Sequence, residues 1–490
     1  MDFLSLLQEE IGTIIITLCF LTVVFLILTD KLNRAIAALT GAVITYFTLI
    51  FIEKADFQLI VDLLFGSRTD GFVNVHSLIL IVGMMFIVQI SDEAGVFQFI
   101  SVYAIKFSRG NPAALLSIFC FISVFCSAIL NNILTVMILI PLTITISRIL
   151  NADPTPYILT QAVLVNIGGT IFSISSIPNI LIVTSTGITF NEFFINVGLF
   201  SIIIVFCTIP FFLYLYRNDL SKAEDELIQT LQEFDVWFVV QSRRLMFASM
   251  IALATLMISF VIVPPNILEP DAIAMTIAMI LTIFSAINDI DPADIMKKFD
   301  YELIFYLLGI FLIAGGLEFI GLIDTLGLFL NSIGGAFSPL IQIIALMWIA
   351  AFLSSTIDNI PITKVLIPLV RSFAPPNTDK ETLKKYYYGL AIGANWGDNL
   401  TPLGDNILVS NLARKHKRPI SMLDFWRLGF TTTLYQLFLA SIYFIILFEP
   451  MIGISLTFLL ILFVISLYLL TKKSKQMQLL SNRFRKLVVG

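Results

Sequence analysis

The sequence predicts an all-α polytopic membrane protein made of two inverted halves, each with a re-entrant helical hairpin and a broken helix. Three observations lead there: the composition, the apolar runs and an internal repeat. Hydrophobic residues make up 58% of the 490 residues and charged residues 13%, and the mean hydropathy is +0.96. Soluble domains carry about 25% charged residues, so this chain has too few to cover itself with a water-compatible surface. Repeated apolar runs near the ~20 residues that cross a bilayer make lipid its solvent. With 44 Phe against 25 Gly and 18 Pro, a fibrous or disordered chain is excluded.

Full spans are expected over 11–29, 35–52, 77–91, 195–216, 245–263, 271–288, 302–317, 428–448 and 451–470. The first is preceded by Asp2, Glu9 and Glu10 rather than basic residues, and no small-residue cleavage site follows. It therefore reads as a retained helix and not as a signal peptide. Residues 113–149 and 338–371 are apolar but interrupted by "LNN" and "IDN", and each is expected to enter and leave on one side as a hairpin. Pro156 to Gly169 stops after fourteen residues at "GGTIFSISSIPN", and Tyr386 to Asn395 stops at "WGDNLTPLGDN". Both are expected as broken helices.

Between the halves, residues 218–244 form a charged connector. Leu220, Leu227, Leu231 and Phe234 approximate helical spacing there, with acids elsewhere, as in a surface helix. Cys19, Cys120, Cys126 and Cys207 all lie in apolar runs, which argues against disulfides and a metal site. His76 and His416 fall in expected loops and receive no chemistry. No phosphate loop, zinc spacing or nucleophile motif is present, so neither an enzyme nor a nucleic-acid partner is expected, and no cofactor beyond a bound sodium ion.

Basic residues orient the chain. With the tail bearing Lys472, Lys473, Lys475, Arg483, Arg485 and Lys486 in the cytoplasm, 22 of the 29 Lys and Arg fall on that side. Six fall outside: Lys54, Arg68, Arg371, Lys380, Lys384 and Lys385. The N-terminus is then outside, the C-terminus cytoplasmic, and Lys364 alone is left within the membrane.

The repeat is nearly constant in register. Gly83, Asp92 and Gly95 recur with identical spacing as Gly309, Glu318 and Gly321. One place further out of step, Asn131, Asn132 and Pro141 recur as Asp358, Asn359 and Pro368, and Asn179 recurs in that same register as Asn406. Three motifs in register indicate internal duplication. Because one hairpin opens to each side, the halves are inverted, as in many secondary transporters. The expected organisation is N-terminal helices over 1–71, repeat 1 over 72–217, a cytoplasmic connector over 218–244 and repeat 2 over 245–448. An extra helix and basic tail complete it over 449–490.

The stretches "HSLILIVGMMFIVQISDEAGVFQF", "KFSRGNP", "SAILNNILTVMILIPLTI", "NIGGTIFSISSIPNILIV", "SSTIDNIPITKVLIPLV" and "ISMLDFWRLGF" resemble the ion-transporter superfamily. The branch is that of arsenite permeases, D-type sodium/proton antiporters and the melanosomal P protein, which share a citrate-transporter-like domain. The resemblance covers about residues 72–448. It implies an inverted-repeat transporter in which hairpin tips meet broken helices around the substrate, working as a homodimer with a scaffold and a moving transport domain. Such proteins often carry an acid where this chain has Asn131, and Gly-Asp-Pro-Pro-Asn where it has Ser175 to Asn179. Their second broken helix is usually rich in Gly, Ser and Ala, whereas this chain adds Asp398 and Asp405. Acid has moved from the first half to the second.

A helix break deep in a bilayer exposes backbone dipoles that must face water, protein or an ion. The expected site therefore takes Asn131, Asn132, Thr135, Ser173, Ser175, Ser176 and Asn179 from the first half. The second supplies Asp358, Asn359, Thr363, Asp398, Asn399, Thr401, Asp405 and Asn406, with sodium at Asp358, Asp398 or Asp405. An Asp near a helix start serves as a cap about as often as it serves function. Three at two breaks favour ion binding. Lys364 is either their counter-charge or a snorkelling residue. Three acids against one lysine suit a cation, so the expected activity is sodium (or other cation)/proton antiport by alternating access. Sodium-coupled anion (carboxylate-type) uptake, arsenite or oxyanion export and a passive channel are the alternatives.

Overall fold

The computed structural model describes residues 3–29, 31–220, 225–288, 291–402, 406–473 and 475–489. In the first half lie α1 (Phe3–Leu28), α2 (Arg34–Phe47), α3 (Val73–Glu93), α4 (Val96–Lys106), α5 (Pro112–Ile129), α6 (Asn132–Ile149), α7 (Thr155–Gly168), α8 (Ile177–Thr186) and α9 (Leu199–Tyr216). The second half has α10 (Arg243–Ile262), α11 (Pro270–Ile287), α12 (Tyr301–Phe319), α13 (Leu322–Gly334), α14 (Pro339–Ser354), α15 (Asn359–Phe373), α16 (Lys380–Trp396), α17 (Asn406–Lys415) and α18 (Met422–Phe448). Each helix of the first half has its counterpart nine places on. Two further helices follow, α19 (Pro450–Lys473) and α20 (Lys475–Val489). Among the described residues, eleven helices are long and apolar enough to cross a membrane.

The hairpins start and turn by the same local chemistry. Asn111 caps α5 with Pro112 at its first position, and Ser338 precedes Pro339 of α14 in the same way. Proline there costs no hydrogen bond, because the first-turn N–H groups are unpaired anyway. At the tips, Asn131 Oδ1 accepts from Leu134 N at 2.8 Å to cap α6, and Asp358 Oδ1 accepts from Ile360 N at 3.1 Å to cap α15. The arms of the first hairpin run 18 residues each, while those of the second run 16 and 15. The broken helices end where the sequence breaks off, α7 at Gly168 and α16 at Trp396, followed by a 3-10 turn over Gly397–Leu400.

Helices also form where the sequence reading assigned none, and two of them are a matched pair. That reading assigned nothing to residues 92–112 or 318–337, yet α4 and α13 form there. Each begins after a glycine with positive φ, Gly95 at 81° and Gly321 at 71°. Only glycine takes that conformation freely, so the pair turns the chain identically in both halves.

The halves interlock. α2 packs along α12, and α11 along α3. Gly309 lets the backbone of Ala38 approach, and Gly83 does the same for Ala274. Thus α1–α2 pack as α10–α11 do, although the sequence match begins near residue 72. In the other layer, α5 runs along α7 and α14 along α16, while the returning arms cross over, α6 onto α17 and α15 onto α8. The surface helix expected of the connector forms over Asp225–Glu233. Apolar side chains such as Phe206, Ile283 and Phe329 face outward, as suits a chain whose solvent is lipid, and α19 is almost wholly exposed.

Contacts between acidic and basic side chains sort onto two faces. Arg34 meets Asp300 and Glu302, Lys298 meets Glu93, and Arg485 meets Asp219 at one end of the helices. Lys384 meets Glu192, and His76 meets Asp271, at the other.

Candidate ion- and substrate-binding site

The site forms where each hairpin tip meets the break of its own half. Gly168 and Gly397 allow the contact. A Cβ on Gly168 would lie 2.8 Å from Val124 O, and one on Gly397 would collide with Ala351 O. Val124 and Ala351 stand in the same register as Asn132 and Asn359, so the two joints are copies. Ser127 and Ser354 fasten them, donating to Val165 O and Ala394 O at 2.5 Å each. Asn179 and Asn406 close the far side, each donating to the broken helix at 2.8 Å, on Gly169 O and Asp398 O respectively.

Within this shared frame the second half places a carboxylate. Asp398 is 5% exposed, and its oxygens accept from Ser354 Oγ at 3.1 Å and from Asn359 Nδ2 at 3.1 Å. The equivalent of Asp398 is Gly169, whose absent side chain leaves Asn132 without an acid to meet. Asn132 instead accepts from Ser127 at 3.1 Å and donates to Asn166 Oδ1 at 2.7 Å. Asn166 then donates across to Asn399 Oδ1 at 2.7 Å, and Asn399 donates to Val163 O at 2.9 Å. A second crossing runs the other way: Asn395 donates to Asn179 Oδ1 at 2.8 Å and accepts from Ser176 Oγ. Trp396 adds a third, its ring N–H reaching Thr170 at 3.0 Å.

Seven of the fifteen expected residues thus belong to the network of joints and crossings. Asn132, Ser176, Asn179, Asn359, Asp398, Asn399 and Asn406 are joined by it. Ser175 is nearby but turned inward, donating to Gly169 O and Phe172 O at 2.9 Å. Thr401 bonds Ser355 O. Thr135 and Thr363 are spent on the helix turn before them, bonding Asn131 O and Asn359 O at 3.0 and 2.7 Å. Asp405 lies outside the described residues. Lys364 donates to Asn74 Oδ1 at 2.7 Å and lies 4.8 Å from the Phe311 ring centre. Its partner is therefore an amide of α3, with no ion pair to a carboxylate among the described residues. Sequence reasoning missed Ser127, Asn166, Ser354 and Asn395. Asn166 and Asn395 are lone amides in apolar runs, and their spacing falls off the register of the other matches.

Several cavities approach the network. A small one of about 30 Å³ lies between the tips, lined by Asn131, Asn132, Ser175, Ser176, Asp358 and Asn359 with Arg34 and Asp300. It has room for a water or a small ion. A larger cavity of about 330 Å³ opens from the end that carries Arg34 and Glu302 and reaches Ser354, Ser355 and Asp358. A third, of about 280 Å³, comes from the opposite end and stops at Ser173 and Ile174 of the first break.

The architecture resembles the crystal structure of the YdaH transporter of Alcanivorax borkumensis, with a TM-score of 0.55 at 15% identity over 82% of this chain and 88% of that one. At that identity the likeness concerns the fold alone. The chain is 26% identical to a 46 kDa membrane protein of Mycobacterium leprae, over 86% of its own length and 96% of the relative's. An uncharacterized transporter of Mycobacterium tuberculosis matches with the same identity and coverage. The human P protein is 24% identical over 86% of this chain, which spans 58% of that longer protein. The profile of the citrate transporter family matches residues 24–393, three quarters of the sequence. The chain is a multi-pass membrane transporter and belongs to the citrate transporter family.

Proposed function

We propose that the protein exchanges a small cation, sodium first, for protons, and that the Asp398 carboxylate is where the two compete. The observation that carries this reading is the placement of Asp398, buried at the second joint with Ser354 and Asn359 as donors. A carboxylate taken out of water is stabilised by a proton or by a bound cation. Two neutralisers that exclude one another at one group are the requirement for antiport. Asp358, which lines both the central cavity and the 330 Å³ cavity, adds negative charge on the route. The homodimer, and the placement of the tail and Lys415 in the cytoplasm with Lys384 outside, belong to the same proposal. One-sided cysteine labelling at positions 384 and 415 tests the orientation, since only one of the two should react in intact cells.

A second reading, sodium-coupled uptake of an anion, is supported by the helix starts. The caps of α6, α8 and α15 (Asn131, Ser176 and Asp358) all line the central cavity. Helix N-termini carry partial positive charge that attracts anions. Proteoliposomes with sodium and pH gradients imposed separately distinguish the readings. Antiport gives sodium-driven proton movement without added anion, and Asp398→Asn abolishes it. Sodium-driven flux that requires an external carboxylate, with no proton movement, would replace antiport by the second reading.

A further inference from the structure

The two large cavities occupy equivalent places in the inverted halves. His76 and Glu302 share the register of Gly83 and Gly309 and line the opposite cavities. Thr184 and Asn411 do the same in the register of Asn132 and Asn359. The polar corners differ. In the 330 Å³ cavity, Glu302 is answered by Arg34 at 3.3 Å. In the 280 Å³ cavity, His76 Nδ1 meets Asp271 Oδ2 at 2.9 Å, and the other oxygen, Oδ1, is buried with no hydrogen-bond partner. Asp271 is 6% exposed. A buried carboxylate oxygen without a partner is costly and calls for an explanation.

We propose that this second cavity binds a small organic ammonium. Its ammonium group would sit among the acids that line the cavity, Asp70, Glu269 and Asp271, and its hydrocarbon body would lie on Leu80, Val183, Phe190 and Phe260. The cavity thus holds three acids against the single imidazole, already engaged on Oδ2. That balance repels anions. A bare metal ion is disfavoured too: among the described residues no group of three His, Cys, Asp or Glu could hold one. A concave wall, largely apolar, with a small number of placed polar groups is the ordinary form of a small-molecule site. The inference is separate from antiport at Asp398, which lies at the other joint.

The test is calorimetric titration of the purified full-length protein in detergent at pH 8. The probes are 2-phenylethylammonium and its neutral analogue 2-phenylethanol. Saturable ammonium binding is expected, at least tenfold tighter than the alcohol's and at least tenfold weaker in Asp271→Asn. Val183→Trp, which fills the hydrocarbon end without touching the acid, should weaken it comparably and covers a failure of the first variant to fold. Asp398→Asn should bind the ammonium as the parent does, whatever it does to transport. Equal binding of alcohol and ammonium, or ammonium binding unchanged in Asp271→Asn and Val183→Trp, would overturn the proposal.

Discussion

Gly169 in the first half stands where the second half has Asp398, and the contacts around the two positions are otherwise copies. Both joints have a glycine against a hairpin carbonyl, a serine fastening the tip and an asparagine closing onto the break. Where the acid is present, the tip asparagine (Asn359) turns to it. Where it is missing, the tip asparagine (Asn132) joins an amide chain that crosses to the other half. Backbone geometry is thus common property of the duplication, while ionisable chemistry is lodged on one side. Under the proposed antiport, the first joint would serve as a brace and the second would carry the group that changes charge.

The sharpest way to break this comparison is to remove the charge without changing size. Asp398→Asn should lower gradient-driven exchange at least a hundredfold in proteoliposomes while the protein stays folded. Asn132→Ala, at the uncharged joint, should leave the coupling intact and lower only the rate. Equal loss of coupling in both variants would erase the distinction between brace and charge carrier.

The shared geometry can be tested next. Gly168→Ala and Gly397→Ala each push a methyl into a hairpin backbone, and overpacking of this kind costs about 1–3 kcal/mol. Both should lower the thermal midpoint, Gly397→Ala more, because its nearest atoms are all backbone of Ala351. A silent Gly397→Ala would mean that the second joint is open in solution. The cross-half amides come third: Asn166→Ala and Asn395→Ala each leave buried partners unmatched, at about 1–3 kcal/mol apiece. Similar losses from the two in chemical denaturation are expected, since each spans the same interface from opposite sides.

Lys364 gives the smallest effect. A double-mutant cycle on stability between Lys364→Met and Asn74→Ala should show a coupling of about 1 kcal/mol, the value of one hydrogen bond. The cycle with Asp358→Asn should show none. Coupling to Asp358 instead would restore that aspartate as the lysine's partner.

The breaks were legible because polar residues interrupt apolar runs, and the inversion because Gly83, Asn132 and Asn179 recur at nearly constant spacing. Features off that register were not. Asn166 and Asn395 are slightly out of step with it, and Ala38 and Ala274, which pack on equivalent glycines, are further out still. Loop lengths differ between the halves, so a single offset cannot reveal them. α4 and α13 escaped because an eleven-residue or thirteen-residue helix is too short to read as a span. The partner of Lys364 lies 290 residues away in sequence, and spacing carries no information at that distance.

The crossed packing of α2 on α12 and α11 on α3 also bears on how the chain is made. About 250 residues separate the end of α2 from the start of α12, and a ribosome adds about 5–20 residues per second. For about 12–50 seconds, the small-residue face of Ala37, Ala38 and Gly41 waits in the bilayer without the helix that covers it. The newborn first half therefore exposes a face made for protein until the second half arrives. Translational pauses between the connector and α12 should lower yield more than pauses placed after α18.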